Sequence, residues 1–285
     1  MRQVLTGRAW PLTGAEAAAA RLAGVDLYVD IAGEGAPVVF VHAGICDSRM
    51  WDPQWAPFTA AYRAVRLDLR GFGRSPLPPE PYSHGRDLVA VLERLGTGPV
   101  ALVAASYGGG VALQVAVARP DLIAALVLAD ASLPSHAWSE EVKASWAEEE
   151  AALVRGDLDA AVEVNLRMWV DGRRAPGVVD PTVREHVGEM QRRAFELEVP
   201  VWDQAKEEAL APDVAARLGE IRVPALVVVG EEDVTDLHNI AERLARELPD
   251  GRHATIAAAA HLPSLERPDV FNDLALGFLG QRLRR

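Results

Sequence analysis

The stretch of sequence that decides the fold is VALVAASYGGG, residues 100–110. It opens as an apolar, β-branched run after Gly98 and Pro99, which predicts a buried strand. The Ala-rich run over residues 111–118 predicts a buried helix that stops before a proline. A strand that turns at once into a helix strains the residue at the apex and requires small residues around it.

The apex residue is Ser106, and its surroundings have the pattern of a nucleophile elbow. The elbow pattern G-x-S-x-G occurs here as Ala104-x-Ser106-x-Gly108, with alanine in place of the first glycine. Strand, small residues and helix follow one another in the order that the elbow requires. We therefore predict that Ser106 is a catalytic nucleophile. The alternative is a loop rich in serine and glycine that only caps a helix.

The composition is that of an ordinary globular protein with an acidic surface. The chain has 285 residues, 49% hydrophobic and 25% charged, enough for one large domain or one domain with an insertion. A net charge of -12 repels phosphate backbones and anionic lipid, so we expect no nucleic acid and no membrane as partners. The charge does not bear on a small neutral substrate, so a small molecule is the partner that we expect, and the oligomeric state, monomer or homodimer, stays open.

Cysteine usage and hydropathy indicate a cytoplasmic protein. Cys46 is the only cysteine of the sequence, so no internal disulfide can form. No apolar stretch approaches the roughly 20 residues that a membrane span needs. Residues 1–20 also lack the continuous apolar core of a signal peptide.

Strand and helix patterns alternate along the chain, with one interruption. Four alternations are complete by residue 130, which predicts an α/β fold with a parallel sheet and helices on both faces. Residues 134–217 show no strand pattern, are charged and helical in character, and hold four of the seven tryptophans. The alternation then resumes. We predict a core domain over residues 1–133 and 218–285 and a helical cap (lid) insertion over residues 134–217.

Two local patterns concern single helices. Near the N-terminus, Thr13 to Glu16 has capping-box spacing, which predicts either a short helix or a loose arm. Within the insertion, the run Glu148-Glu149-Glu150 predicts a solvated helix face.

A serine nucleophile needs a base and an acid that orients the base. His261 follows the last predicted strand in a loop of small residues, so it lies at the carboxyl edge of the sheet where the elbow also opens. Asp233 follows the preceding strand at the same edge and is our candidate acid, since the acid falls between serine and histidine in chain order. Asp130 and Asp236 are the alternatives. A helix N-cap is the structural alternative for Asp233.

The oxyanion that forms during acyl transfer needs backbone N–H donors. One falls on Tyr107, directly after the nucleophile at the start of a helix. The other is expected from Gly44, in the loop after the strand at residues 37–43, because glycine permits close approach of a bound group. We interpret His42 as a residue that braces this loop rather than as a base.

These residues resemble the α/β-hydrolase fold superfamily, in particular its capped, lipase-like serine esterases. The resemblance runs from about Val25 to the C-terminus and rests on five motifs: VHAG at 41–44, DLRGFGRS at 68–75, the elbow, GEED at 230–233 and HLPSLERP at 261–268. It implies an eight-stranded, mostly parallel sheet, a triad of Ser106, Asp233 and His261, and a lid after the sixth strand. The family usually has glycine where this chain has three alanines, Ala43, Ala104 and Ala260.

The functional hypothesis is a cofactor-free serine hydrolase that cleaves small to medium, largely apolar carboxylic esters through an acyl-enzyme. Alternatives on the same triad are a carbon–carbon bond hydrolase or lactonase, a perhydrolase, and a ligand-binding receptor with little turnover. An arginine that reached the pocket from the insertion would favour carboxylate-bearing substrates; the candidates are Arg167, Arg173 and Arg174. No HExxH, CxxC or phosphate-cradling motif occurs, so we expect neither a metal nor a nucleotide.

Overall fold

The computed structural model describes residues 26–175 and 177–283, which form a seven-stranded sheet flanked by helices. The strands are β1 Val29–Ala32, β2 Pro37–Val41, β3 Arg63–Leu67, β4 Val100–Ala105, β5 Ile123–Ala129, β6 Ala225–Gly230 and β7 Gly251–Ile256. Their order across the sheet is β1-β3-β2-β4-β5-β6-β7. Among these strands, β1 runs antiparallel to β3 and all other neighbours are parallel.

The α/β class and the mostly parallel sheet predicted from the sequence are confirmed, with a correction to the number of strands. The resemblance implied eight strands, whereas the described residues form seven. In this part of the chain β1 is an edge strand whose only partner is β3, so the sheet ends there. The predicted helix or arm at Thr13 to Glu16 lies outside the described residues.

The helices of the described residues connect these strands or follow the last of them. They are α1 Asp52–Thr59, α2 His84–Leu95, α3 Ser106–Ala118, α4 Glu140–Val154, α5 Leu158–Asn165, α6 Pro181–Glu198, α7 Thr235–Glu247, α8 Pro263–Glu266 and α9 Pro268–Arg282. Local chemistry sets their ends: the Ser83 hydroxyl accepts the N–H of Arg86 at the start of α2, and Gly96 ends it with a φ of 59°. None of these helices has the length and apolar character needed to cross a membrane.

The segment between β5 and β6 is helical, in agreement with the helical character of residues 134–217 in the sequence. Among the described strands it follows the fifth, whereas the resemblance implied the sixth. It contains α4, α5 and α6, with a π-helical turn, Leu166–Asp171, between the last two. Helix α5 packs against both α4 and α6. In the described part of this segment, residues 134–175 and 177–217, no strand occurs.

The parallel strands at the centre of the sheet determine where the site lies. Strands β4 and β6 are buried along their whole length, which explains their continuous apolar sequences. Because β4 to β7 are parallel neighbours, the loops that follow them meet at one edge of the sheet. Residues 106, 130, 233 and 261 all lie in or directly after those turns.

Candidate active site

Ser106 occupies the turn between β4 and α3 in a strained backbone conformation. Its φ is 48°, in the left-handed region that residues with a side chain rarely adopt. Gly108 makes the turn possible, because a Cβ at that position would lie 2.4 Å from the backbone oxygen of His42. The chain therefore has the backbone geometry of the elbow predicted from the sequence.

The imidazole of His261 joins Ser106 to Asp233. Its Nε2 lies 2.6 Å from Oγ of Ser106, and its Nδ1 lies 2.8 Å from Oδ2 of Asp233. The carboxylate selects the tautomer in which Nδ1–H donates to Asp233 and Nε2 accepts from the Ser106 hydroxyl. Asp233 is buried, and its Oδ1 accepts the N–H of Val234 at 2.8 Å. The three residues chosen from the sequence thus form one continuous hydrogen-bonded line.

Asp130, an alternative acid in the sequence analysis, lies beside Asp233. Its Oδ1 accepts the N–H of Gly230 at 2.8 Å, while its Oδ2 is buried without a donor N–H among the described residues. One side-chain atom each of Asp130, Asp233 and His261 lies within 4.8 Å of the others. Burial and then repulsion from Asp233 raise the pKa of Asp130 well above its usual range. The raised pKa favours the protonated form of Asp130, whose hydroxyl can donate to the Asp233 carboxylate.

Asp236, the other alternative acid, has different partners. Its Oδ1 accepts the N–H of Ser139 at 2.9 Å and lies 3.1 Å from Nε2 of His136. Both partners belong to the start of the inserted segment, so Asp236 ties that segment to α7.

The two residues predicted to bind an oxyanion are neighbours in space. A Cβ on Gly44 would lie 3.2 Å from Cβ of Tyr107, and both residues line the same cavity as Ser106. Tyr107 is in the first turn of α3, where backbone N–H groups have no partner within the helix. The arrangement therefore suits two N–H donors directed at a group bound to Ser106.

His42 braces the loop that carries Gly44, as predicted. Its Nδ1–H donates to the backbone oxygen of Ala43 at 2.8 Å, and its Nε2 accepts the N–H of Leu69 at 2.9 Å. Burial lowers the pKa of His42, which keeps the ring neutral and leaves Nε2 free to accept. Fully buried alanines replace the usual glycines at residues 43, 104 and 260, and the contacts of His261 persist beside them.

A cavity of about 620 Å³ lies in front of Ser106 and His261. The inserted segment supplies three tryptophans to its wall, Trp138, Trp146 and Trp169, and three glutamates, Glu149, Glu198 and Glu207. Trp202 and Met168 of the same segment are not part of this wall and pack against the hydrophobic core.

The expectation that the run Glu148-Glu149-Glu150 forms a solvated helix face was wrong for one of the three residues. Glu149 lines the cavity, whereas its neighbours Glu148 and Glu150 are exposed, because successive residues of a helix point in different directions. The arginine candidates for a substrate carboxylate lie outside the cavity lining. Arg167 pairs with Glu148, Arg173 donates to the backbone oxygen of Glu231, and Arg174 forms a buried ion pair with Glu266, so their bonds go to other parts of the chain.

The inserted segment also touches the loops that carry Asp233 and His261, which the sequence did not indicate. The N–H of Arg173 donates to the backbone oxygen of Glu232 at 3.3 Å. Glu266, the ion-pair partner of Arg174, accepts the N–H of Ala260 through Oε1 at 2.9 Å. A Cβ on Gly172 would lie 2.7 Å from the backbone oxygen of Glu232. Residues 172–174, here called the strap, thus bind both loops.

Comparison with known proteins agrees with this geometry. The family model described as the alpha/beta hydrolase family matches residues 38–274, most of the chain. The chain belongs to the alpha/beta hydrolase family. The match runs from β2 into α9 and so includes every residue of the hydrogen-bonded line.

Individual members of the family resemble the chain over nearly its full length. A pimeloyl-[acyl-carrier protein] methyl ester esterase of Nitrosospira multiformis is 27% identical, with 87% of this chain and 95% of that protein covered. A thermophilic esterase from Thermogutta terrifontis has a TM-score of 0.77 at 26% identity, covering 91% of this chain and 95% of that one. An N-acyl homoserine lactone degrading enzyme has a TM-score of 0.70 at 28% identity, covering 90% and 97%. These relationships support hydrolase activity as a class.

Proposed function

We propose that the chain is a cofactor-free serine hydrolase that cleaves small to medium carboxylic esters through an acyl-enzyme. The observation that supports this most directly is the line of hydrogen bonds from Asp233 through His261 to Ser106. Two esterases among the similar proteins support the ester as substrate. Aromatic side chains in the cavity wall favour a largely apolar substrate body next to the nucleophile.

In the proposed mechanism, Ser106, His261 and Asp233 each act in both half-reactions, the acylation of Ser106 and its deacylation. The Oγ of Ser106 attacks the ester carbonyl carbon while Nε2 of His261 takes the hydroxyl proton. Asp233 holds the tautomer and stabilises the imidazolium, and the N–H groups of Gly44 and Tyr107 bind the oxyanion. The proton then passes to the departing alcohol. A water molecule, activated by the same histidine, releases the acid from Ser106.

In this proposal, residues 134–217 act as a cap domain over a core of residues 1–133 and 218–285. Twelve residues of the cavity wall come from the segment, which supports a role in substrate selection. Its contact with the loops of Asp233 and His261 supports a role in holding the reactive groups.

The test combines covalent labelling with an ester panel. A fluorophosphonate probe should label the wild-type protein at Ser106, and 4-nitrophenyl esters should be hydrolysed. The Ser106→Ala variant should lose both. Ser132→Ala is the matched control, because Ser132 lines the same cavity without contacting His261. A protein that labels at another residue, or hydrolyses esters equally well as Ser106→Ala, would refute the mechanism.

Lactone hydrolysis is a second candidate on the same residues. The similar N-acyl homoserine lactone degrading enzyme supports it. A lactone presents the same acyl carbonyl to Ser106, but its leaving alcohol stays attached to the acyl group. Rates on N-acyl homoserine lactones and on open-chain esters of the same acyl group, measured side by side, decide between the two.

A further inference from the structure

Three glutamates form one group in the cavity wall, here called the acidic wall: Glu149, Glu198 and Glu207. They come from α4, from the end of α6 and from the loop after α6. Glu149 accepts a hydrogen bond from Nδ2 of Asn165 at 2.6 Å, and Glu207 accepts one from the Tyr107 hydroxyl. Both donors are neutral. Among the described residues, no group donates a hydrogen bond to the Glu198 carboxylate. Glu198 and Glu207 are exposed and Glu149 is half-buried, and partial desolvation beside the cavity raises the pKa of Glu198.

No cation of the cavity lining neutralises the acidic wall. Arg70 is the one arginine in that lining, and both of its bonds go to Asp87, at 2.8 and 2.9 Å. His84 also lines the cavity but stays neutral, since burial lowers its pKa to about 3. Burial, and then repulsion from Glu198, raise the pKa of Glu149. The described wall thus holds carboxylates that repel one another and lack a counter-ion.

Gln191 provides an independent sign that a ligand belongs here. Its side chain lines the same cavity and is 4% exposed, and its Oε1 has no donor among the described residues. Buried amide oxygens in folded proteins nearly always accept a hydrogen bond. Oε1 of Gln191 and the carboxylate of Glu198 are thus hydrogen-bond acceptors without a donor among the described residues. A ligand that satisfies them must donate hydrogen bonds.

Aromatic side chains beside the acidic wall favour the same kind of ligand. Trp138 and Trp146 meet edge to face, with ring centroids 5.3 Å apart, and both line the cavity. Trp146 is 40% exposed, which is unusual for so large an apolar side chain, and it lies one helical turn before Glu149 on α4. Indole faces attract cations more strongly than any other side-chain ring.

We propose that the substrate is an ester that carries a protonated amine, held by the acidic wall and the indoles of Trp138 and Trp146. The ester carbonyl lies at Ser106 while the ammonium group donates hydrogen bonds to Glu198 and, once the Gln191 side chain turns its buried Oε1 toward the cavity, to Gln191. This inference rests on the proposed function and specifies the substrate class of the same site. It replaces the carboxylate-bearing substrate considered for Arg167, Arg173 and Arg174, none of which lines the cavity.

The kinetic test compares matched substrates. A series of 4-nitrophenyl esters of ω-amino acids of increasing chain length is paired with alkanoate esters in which a methyl group replaces the ammonium. For the best length, kcat/KM should be about tenfold or more above that of the neutral partner at low salt. Added salt should reduce the ratio, because it screens charges. A ratio of one or less at every length overturns the proposal and leaves ester hydrolysis intact.

Glutamate-to-glutamine variants show which residues select the ammonium-bearing ester over its neutral partner. Glu198→Gln should reduce the ratio of the two kcat/KM values by about tenfold, and Glu149→Gln combined with Glu198→Gln should abolish it. Glu196→Gln is the matched control: Glu196 lies two residues earlier on α6, is exposed, and contacts Arg193. Equal effects of Glu196→Gln and Glu198→Gln would contradict the proposal.

Equilibrium binding separates this inference from the catalytic proposal. The ligand is n-butylammonium chloride, its neutral counterpart is 1-butanol, and the protein is the Ser106→Ala variant, measured by calorimetry. We expect the ammonium ion to bind at least tenfold more tightly than the alcohol, and Glu198→Gln to remove the difference. Equal affinities would overturn the inference even if every ester in the panel were hydrolysed. A preference for the ammonium ion would support it even without turnover.

Discussion

The indole of Trp169 lies against the imidazole of His261, with ring centroids 4.6 Å apart and ring planes inclined at 39°. The π-helical turn Leu166–Asp171 carries this tryptophan, so a residue of the inserted segment contacts the proposed base. When His261 takes the proton of Ser106 it becomes a cation. An aromatic face stabilises a neighbouring cation by about 0.5–2 kcal/mol.

Replacing Trp169 by leucine should therefore slow turnover more than it weakens binding. We expect kcat to fall by up to about tenfold, since about 1.4 kcal/mol corresponds to a factor of ten. Trp169→Phe keeps an aromatic face and should recover most of the loss. Steady-state kinetics on one 4-nitrophenyl ester measure both. If the leucine and phenylalanine variants had the same kcat, the contact would be packing only.

Asp233 and Asp236 should differ sharply in their effect on turnover. Asp233→Asn removes the acceptor that selects the tautomer of His261, so kcat should fall by about 10⁴-fold. Asp236→Asn alters contacts to His136 and Ser139 alone and should change kcat by less than about threefold. A large loss in Asp236→Asn with little loss in Asp233→Asn would show that the wrong acid has been assigned.

Asp130 should make stability depend on pH. Its raised pKa means that the folded protein holds a proton that the unfolded chain releases above its ordinary pKa of about 4. Folding therefore takes up a proton, and the free energy of unfolding decreases as pH rises between the unfolded and folded pKa values. Asp130→Asn removes this titration while its amide can still donate to Asp233. Its stability relative to wild type should grow with pH, by up to about 1.4 kcal/mol per pH unit.

Urea unfolding of both proteins from pH 5 to pH 8 measures that difference. Parallel stability curves would mean that Asp130 is ionised in the folded protein. The activity of Asp130→Asn over the same pH range shows separately whether the proton between Asp130 and Asp233 affects catalysis by His261.

Gly108 and Gly277 should respond oppositely to alanine, although both lie within helices. A Cβ at Gly108 would lie 2.4 Å from the backbone oxygen of His42, so Gly108→Ala should cost about 1–3 kcal/mol and displace Ser106. A Cβ at Gly277 meets no atom within 4 Å among the described residues, and Gly277→Ala should gain about 0.5–1 kcal/mol. Thermal unfolding of the two variants gives the comparison. Stabilisation by Gly108→Ala would show that the turn is looser than described.

The sheet and the hydrogen-bonded line could be predicted because their signals are local in sequence. The buried strand predicted before Ser106 coincides with β4, and the predicted helix over residues 111–118 lies within α3. Ser106, Asp233 and His261 each follow a buried apolar strand, and parallel strands bring their carboxyl ends to one edge. The contacts of these residues then follow from topology.

The cavity wall could not be predicted in the same way. Glu149, Glu198 and Glu207 are far apart in sequence, and they line one cavity only because two helices and a loop pack in one particular arrangement. Periodicity shows that a helix is amphipathic but not which partner each face meets. Trp169 had no distinguishing signal beyond its residue type, and the proximity of Asp130 to Asp233 depends on the neighbouring positions of β5 and β6.

The strap has a consequence for how such a protein diversifies. Residues 172–174 fix the middle of the insertion to the loops that present Asp233 and His261. Replacements in α4 or in the loop after α6 can therefore alter which molecules are accepted while the reacting groups keep their spacing. Selection for a new substrate and selection for a working reaction act on separate stretches of one chain.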